Sequence, residues 1–114
     1  MGKLQELVDQ YHEEMTGKLK MSRVDKPLLT AVAKSLGPSL YRKDAAKVAC
    51  SDKAERDRIK KNFLIKKLGL KDTEKLDAGI KEVCKDMGSS NRNKYRAIFY
   101  YLLAKKFRKS GVFK

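Results

Sequence analysis

The sequence is poor in the residues that most often build metal sites. Its 114 residues include one histidine, two cysteines and no tryptophan. A second metal ligand one helical turn from His12 would fall at Val8 or Thr16, and neither is a usual zinc ligand. Cys50 and Cys84 lack the close spacing of zinc-binding cysteines. We therefore predict no metal and no cofactor.

Catalytic motifs are also missing from the sequence. Gly37, Gly69 and Gly88 stand alone, so no phosphate-binding loop or dinucleotide fingerprint is present. The neighbouring carboxylates Glu13 and Glu14 point to different parts of a helix, whereas acid–base catalysis needs a facing pair. We predict that the protein is not an enzyme.

Long apolar runs are absent as well. No stretch approaches the 18 apolar residues of a membrane helix, and the start of the chain has no apolar leader. Glu6 stands where a myristoylation site needs serine or threonine. These features predict a cytoplasmic protein that does not enter membranes. In that compartment Cys84, on an apolar helix face, is expected to be a buried thiol, although a disulfide with Cys50 stays open.

The residues that are present suit one globular helical domain. Hydrophobic residues make up 41% and charged residues 37% of the chain, and only two prolines and seven glycines interrupt it. This composition is typical of a folded protein. We predict an all-α fold, in which residues 1–114 form a compact single-domain bundle of five or six helices with short loops. Its last residues are expected to form a frayed basic tail.

Apolar residues recur at intervals of three and four, and no alternating strand pattern appears. The predicted helices begin at residue 3, near Pro27, near Asp44, after a Ser51 cap, after an Asp72 or Thr73 cap, and after Gly88. Their predicted ends are residue 19, Gly37, Cys50, Gly69, Gly88 and the basic tail.

The stretch 87–109 organises the predicted fold. After Gly88, Ser89 and Ser90 are expected to cap a helix. Its apolar face carries five residues at helical spacing: Tyr95, Ile98, Phe99, Leu102 and Leu103. Three more aromatics widen this face: Tyr100, Tyr101 and Phe107. A helix that is apolar on so much of its circumference has neighbours on several sides, so we predict that it is the central helix.

Positive charge is concentrated at the same end of the chain. The net charge is +14, and residues 89–114 contribute eight basic residues and no acidic one. Such an excess favours a polyanionic partner, which gains by releasing counterions. The candidate nucleic-acid or anion-binding residues are Arg92, Lys94, Arg96, Lys105, Lys106, Arg108 and Lys109. The alternative interpretation is a solvated face that only keeps the protein soluble.

Two functional hypotheses follow from these features. The first is weak binding of nucleic acid or another polyanion. In its most specific form, residues 87–90 are the turn of a helix-turn-helix and residues 91–96 open a recognition helix. The second is a protein-interaction or self-associating module, whose interface would use exposed aromatics of the last helix. A central helix packed on all sides would remove that interface.

Three stretches resemble a known family. They read KSLGPSLY at residues 34–41, NFLIKKLGL at residues 62–70, and MGSSNRNKYRAIFYYLL at residues 87–103. They are similar to the signatures of a family of short bacterial proteins classified only as a domain of unknown function. The resemblance extends over nearly the whole chain. It implies a small all-α bacterial protein of the cytoplasm, and it implies no activity, substrate or cofactor.

Overall fold

Five α-helices form the described part of the chain, which confirms the predicted all-α class. The computed structural model describes residues 3–18, 24–36, 47–48, 50–88, 95–109 and 111. The helices are α1 (Lys3–Glu13), α2 (Lys26–Leu36), α3 (Lys53–Ile59), α4 (Glu74–Asp86) and α5 (Arg96–Lys106). None of the described helices has the length and apolar character to cross a membrane.

Two of the helices continue as π-helical turns. The turn Glu14–Lys18 follows α1, and the turn Lys60–Ile65 follows α3. In the first of these turns, the Thr16 hydroxyl donates a hydrogen bond to the His12 carbonyl at 3.0 Å. Side-chain bonds of this kind compete with the backbone hydrogen bonds of a helix. With these turns included, the first predicted helix is confirmed as far as Lys18, and the one predicted to stop at Gly69 is confirmed as far as Ile65. Residue 19 lies outside the described residues.

The start of α2 follows from Asp25 and Pro27. Proline is favoured in the first turn because its missing N–H would have no partner there. The Asp25 carboxylate accepts a hydrogen bond from the Leu28 N–H at 3.2 Å, as a capping residue does. The Asp25 N–H in turn donates to the Tyr101 hydroxyl at 2.8 Å. The predicted helix start is therefore confirmed, and a long-range contact fixes it to α5.

Two local predictions around residue 50 are wrong. The cap of α3 is Asp52, whose side chain accepts from the Ala54 N–H at 3.0 Å, and not Ser51. The helical piece predicted near residues 44–50 is not helical at Lys47 or Val48. Lys47 instead pairs with Tyr95 in an isolated antiparallel bridge, so a distant partner overrides local helix propensity. Residues 44–46 and 49 lie outside the described residues.

The start of α5 also differs from the prediction. The helix begins at Arg96, and its N-cap residue is Tyr95, whose backbone is extended. The predicted caps, Ser89 and Ser90, lie outside the described residues. Nine residues separate the end of α4 from the start of α5. The start of α5 at Arg96 therefore differs from the predicted recognition helix, which opened at residue 91, and residues 89–94 lie outside the described residues.

α5 is the centre of the core, as predicted. It contacts both α2 and α4. Seven of its residues are buried: Ala97, Ile98, Phe99, Tyr100, Tyr101, Leu103 and Ala104. All of these except Ala104 pack into one hydrophobic cluster with residues from every other helix, including Val8, Leu29, Ile59 and Ile80. Leu76, Ile80, Val83 and Met87 belong to the same cluster, and Cys84 is half-buried against it.

The two cysteines form a disulfide, so the buried-thiol prediction for Cys84 is wrong. The Cα atoms of Cys50 and Cys84 are 6.0 Å apart, within the range that a disulfide spans. The bond joins the segment before α3 to the last part of α4 and closes a loop of 34 residues. The sequence left this pairing open, because only the fold brings the two residues together.

Gly88 ends α4 in the left-handed region, with a φ of 95°. The Gly88 N–H donates to the Lys85 carbonyl at 3.0 Å, as expected for a glycine directly after the C-cap residue of a helix. The predicted helix end at Gly88 is confirmed. We expect Gly88→Val to lower the free energy of unfolding by about 1–2 kcal/mol, because a β-branched residue is strained at positive φ. Urea melts measure the loss. Gly17→Val is the control, since Gly17 has open space around it; equal losses would contradict the backbone explanation.

Candidate anion-binding surfaces

The end of α5 carries four of the predicted anion-binding residues. We call these residues the C-terminal basic surface: Lys105, Lys106, Arg108 and Lys109. Lys105, Lys106 and Arg108 are exposed, and Lys109 is half-buried. Only Lys106 forms an ion pair with a described acid, its Nζ lying 3.0 Å from Glu82 Oε2. Several positive charges thus share one helix end with a single described carboxylate.

Two backbone hydrogen bonds close the turn that carries these side chains after α5. The Lys109 N–H donates to the Ala104 carbonyl at 2.8 Å, and the Arg108 N–H donates to the Lys105 carbonyl at 3.2 Å. This pair of bonds is the Schellman pattern, whose C′ residue is usually glycine. Here the C′ residue is Arg108, with a φ of 56°, and it is the one non-glycine residue at positive φ in the described chain.

The other predicted residues do not join this surface. Arg92 and Lys94 lie outside the described residues. The Arg96 side chain is only 14% exposed, and its guanidinium forms an ion pair with Glu55 at 2.9 Å. It also donates to the Tyr100 hydroxyl at 3.1 Å. These contacts fix the start of α5 to α3, and a role of Arg96 in binding an anion stays a prediction.

Burial and the neighbouring groups shift the pKa values of Tyr100 and Arg96 in this internal cluster. Burial raises the pKa of the Tyr100 hydroxyl, and the neighbouring Arg96 charge offsets part of that rise. Burial alone would lower the pKa of Arg96, but Tyr100 and Glu55 outweigh it and raise the pKa. The Phe63 ring stacks on Tyr100 with centroids 4.1 Å apart. Glu55 is the partner that sequence reasoning missed, since 41 residues separate it from Arg96.

The aromatics of α5 do not form an exposed patch among the described residues. Phe99, Tyr100 and Tyr101 are buried. The Phe107 ring lies against Gly79 of α4, where any side chain larger than hydrogen would collide with it. Tyr95 packs on Tyr11 with ring centroids 5.3 Å apart. The aromatics that suggested an interaction surface therefore pack within the fold.

A second basic site lies between α3 and α4, and we call it the α3–α4 cleft. It encloses about 410 Å³. Its lining consists of Lys53, Arg56, Asp57, Lys60, Asp77, Ile80 and Lys81. None of the C-terminal basic surface lines it. No pattern in the sequence indicates that Arg56 and Lys60 face Lys81 across a cleft, because the two helices meet only in the fold.

Ion pairs order one part of this cleft. Lys60 Nζ lies 2.8 Å from Asp72 Oδ1 and 3.1 Å from Asp77 Oδ2. The hydrogen bonds that the Lys60 ammonium donates to Asp72 and then to Asp77 raise its pKa. These contacts connect the π-helical turn after α3 to α4 and to the loop before it. Across the described chain, no group of three histidine, cysteine or acidic residues is arranged to hold a metal ion.

The fold and the two basic sites define a small all-α protein whose surface offers positive charge in a cleft and at a helix end. The chain belongs to the family described as "Protein of unknown function (DUF2853)", whose model matches residues 10–111. This match confirms the family resemblance and extends over most of the chain. A search of curated proteins gave no match.

Proposed function

We propose that the protein is a non-enzymatic binding protein that holds nucleic acid or another polyanion weakly through its C-terminal basic surface. The observation that carries this proposal is Arg108. An arginine replaces glycine at a backbone position that costs about 1–2 kcal/mol for an ordinary side chain. Strained residues cluster at functional sites, and the feature that arginine adds at this position is a positive charge.

The charge balance supports the same proposal. The chain carries 28 basic and 14 acidic residues, so self-repulsion opposes the compact state. A polyanion at the end of α5 relieves that repulsion and releases its own counterions. Because Arg96 is engaged with Glu55 and α5 begins only at Arg96, the expected contacts are to phosphates rather than to base edges. Binding should therefore depend strongly on salt and weakly on sequence.

The first test removes the charge of the surface. We expect Lys105→Gln, Lys106→Gln, Arg108→Gln and Lys109→Gln together to weaken binding and to flatten the salt dependence by about one unit for each phosphate interaction that is removed. Fluorescence anisotropy with labelled duplex and single-stranded probes, at low and physiological salt, measures both effects. Lys85→Gln, an exposed lysine of α4, is the control. Absence of binding by the parent protein at low salt would refute the proposal.

The second test separates charge from backbone strain at Arg108. We expect Arg108→Gly to raise the free energy of unfolding by about 1 kcal/mol, because glycine has no penalty at positive φ. The same variant should bind the probes more weakly than the parent. Arg108→Lys should keep the binding and gain no stability. If Arg108→Gly neither stabilised the fold nor weakened binding, the strain would have no functional meaning.

The cytoplasmic location and bacterial origin stay predictions. The interaction-module alternative is less favoured, because the aromatics on which it depended are packed within the fold.

A further inference from the structure

We propose that the α3–α4 cleft binds a small phosphate-bearing ligand of the phosphate monoester class, at a site distinct from the C-terminal basic surface. The proposal depends on the charge of the cleft, on the way Arg56 is held, and on two cross-links that fix the cleft walls.

The cleft carries a net positive charge, which favours an anionic ligand. Lys60 and Asp77 neutralise each other as an ion pair, with Asp72 as a further partner of Lys60 from outside the lining. The lining then retains Lys53, Arg56 and Lys81 against the single carboxylate of Asp57, a net charge of +2, or +1 when Asp72 is counted. Lys53 and Lys81 are exposed and form no ion pair with a described acid. A phosphate monoester carries close to two negative charges at neutral pH.

Arg56 is held in position for this role. Its guanidinium donates from Nη1 to the Cys50 carbonyl at 2.6 Å. A guanidinium has five N–H donors in one plane, so this bond orients the group and leaves donors for a ligand. Arginine held in this way suits phosphate, because two parallel hydrogen bonds to two oxygens give both affinity and orientation.

Two cross-links fix the separation of the walls. The Cys50–Cys84 disulfide joins the residue that orients Arg56 to α4, one helical turn beyond Lys81. The Lys60–Asp77 ion pair joins the same two walls at a second point. A site held on both sides loses little conformational entropy on binding, which favours a small ligand.

The size and polarity of the cleft select the class of ligand. Its volume of about 410 Å³ is within the range of small-molecule sites. Ile80 is its only apolar lining residue among those described. A compact, charged molecule therefore fits better than an apolar one, and a double helix is too wide to enter.

The test is a titration followed by ¹H–¹⁵N NMR, with inorganic phosphate and glycerol 3-phosphate as probes and chloride at matched ionic strength as the reference. We expect saturable shifts at the amides of Lys53, Arg56 and Lys81 with both phosphate probes and not with chloride. Arg56→Gln should weaken binding about tenfold or more, since it removes charge-assisted hydrogen bonds. Lys61→Gln is the matched control, because Lys61 is exposed just beyond α3 but does not line the cleft, and it should change the affinity less than about twofold.

Other variants keep the test decisive. If Arg56→Gln fails to fold, Lys53→Gln with Lys81→Gln removes two exposed charges of the lining and should weaken binding by a similar factor. Shifts that stay linear with concentration would overturn the proposal, as would equal losses in the Arg56 and Lys61 variants. Loss of phosphate binding in the Lys105 and Arg108 variants, with the cleft variants unchanged, would overturn it too, while leaving the polyanion proposal intact.

Discussion

Replacing Phe99 with alanine is expected to lower the free energy of unfolding by about 3–5 kcal/mol. Phe99 has no exposed surface and lies in the middle of α5, the helix that packs against both α2 and α4. Removing its ring loses the burial of a large apolar side chain and leaves a cavity that close-packed neighbours fill only in part. This loss is a large share of the stability of a domain of this size.

Urea denaturation followed by circular dichroism measures the Phe99 effect. Lys105→Ala is the matched control, because it truncates an exposed side chain of the same helix and should change the free energy of unfolding by less than about 0.5 kcal/mol. A loss in Phe99→Ala no larger than in this control would mean that α5 is not the centre of the core.

Replacing both cysteines with serine is expected to lower the free energy of unfolding by about 3–4 kcal/mol. The disulfide closes a loop of 34 residues, and the expected loss is the loop-closure entropy that such a cross-link removes from the unfolded chain. Cys50 and Cys84 are each half-buried, so serine fits the space with little further cost.

Comparison of oxidised and reduced protein provides the control for the disulfide. The parent protein treated with a reductant should unfold at nearly the same urea concentration as the double serine variant, which should not respond to the reductant. A thiol assay on the unreduced parent should detect no free thiol. An unchanged urea midpoint on reduction of the parent would show that the disulfide does not contribute to stability.

The charge pattern of the sequence identified a basic end of the chain but not the contacts of its individual residues. The excess of basic residues near the end of the chain is a property of the sequence, and four of the seven candidate residues lie together after or within the last turn of α5. Arg96 belongs to the same excess, yet its charge is paired with Glu55. The distribution of charge in the sequence therefore identified the basic end of the chain, whereas the contacts of each arginine depended on its neighbours in the fold.

The sequence by itself determined the features that arise from short-range backbone chemistry. Pro27 marks the start of α2, Gly69 and Gly88 adopt positive φ where two helical segments end, and the apolar spacing identifies α5 as the central helix. Each of these depends on residues within about two helical turns, so the pattern alone contains the information.

The tertiary structure decided the features that depend on distant partners. Lys47 pairs with Tyr95, Glu55 binds Arg96, and Cys50 bonds to Cys84. These contacts override the helix expected before residue 50, pair Arg96 with a carboxylate inside the fold, and fix one end of the α3–α4 cleft. The residues in each pair are at least 34 positions apart, so no local pattern relates them, and only the packing of the helices brings them together.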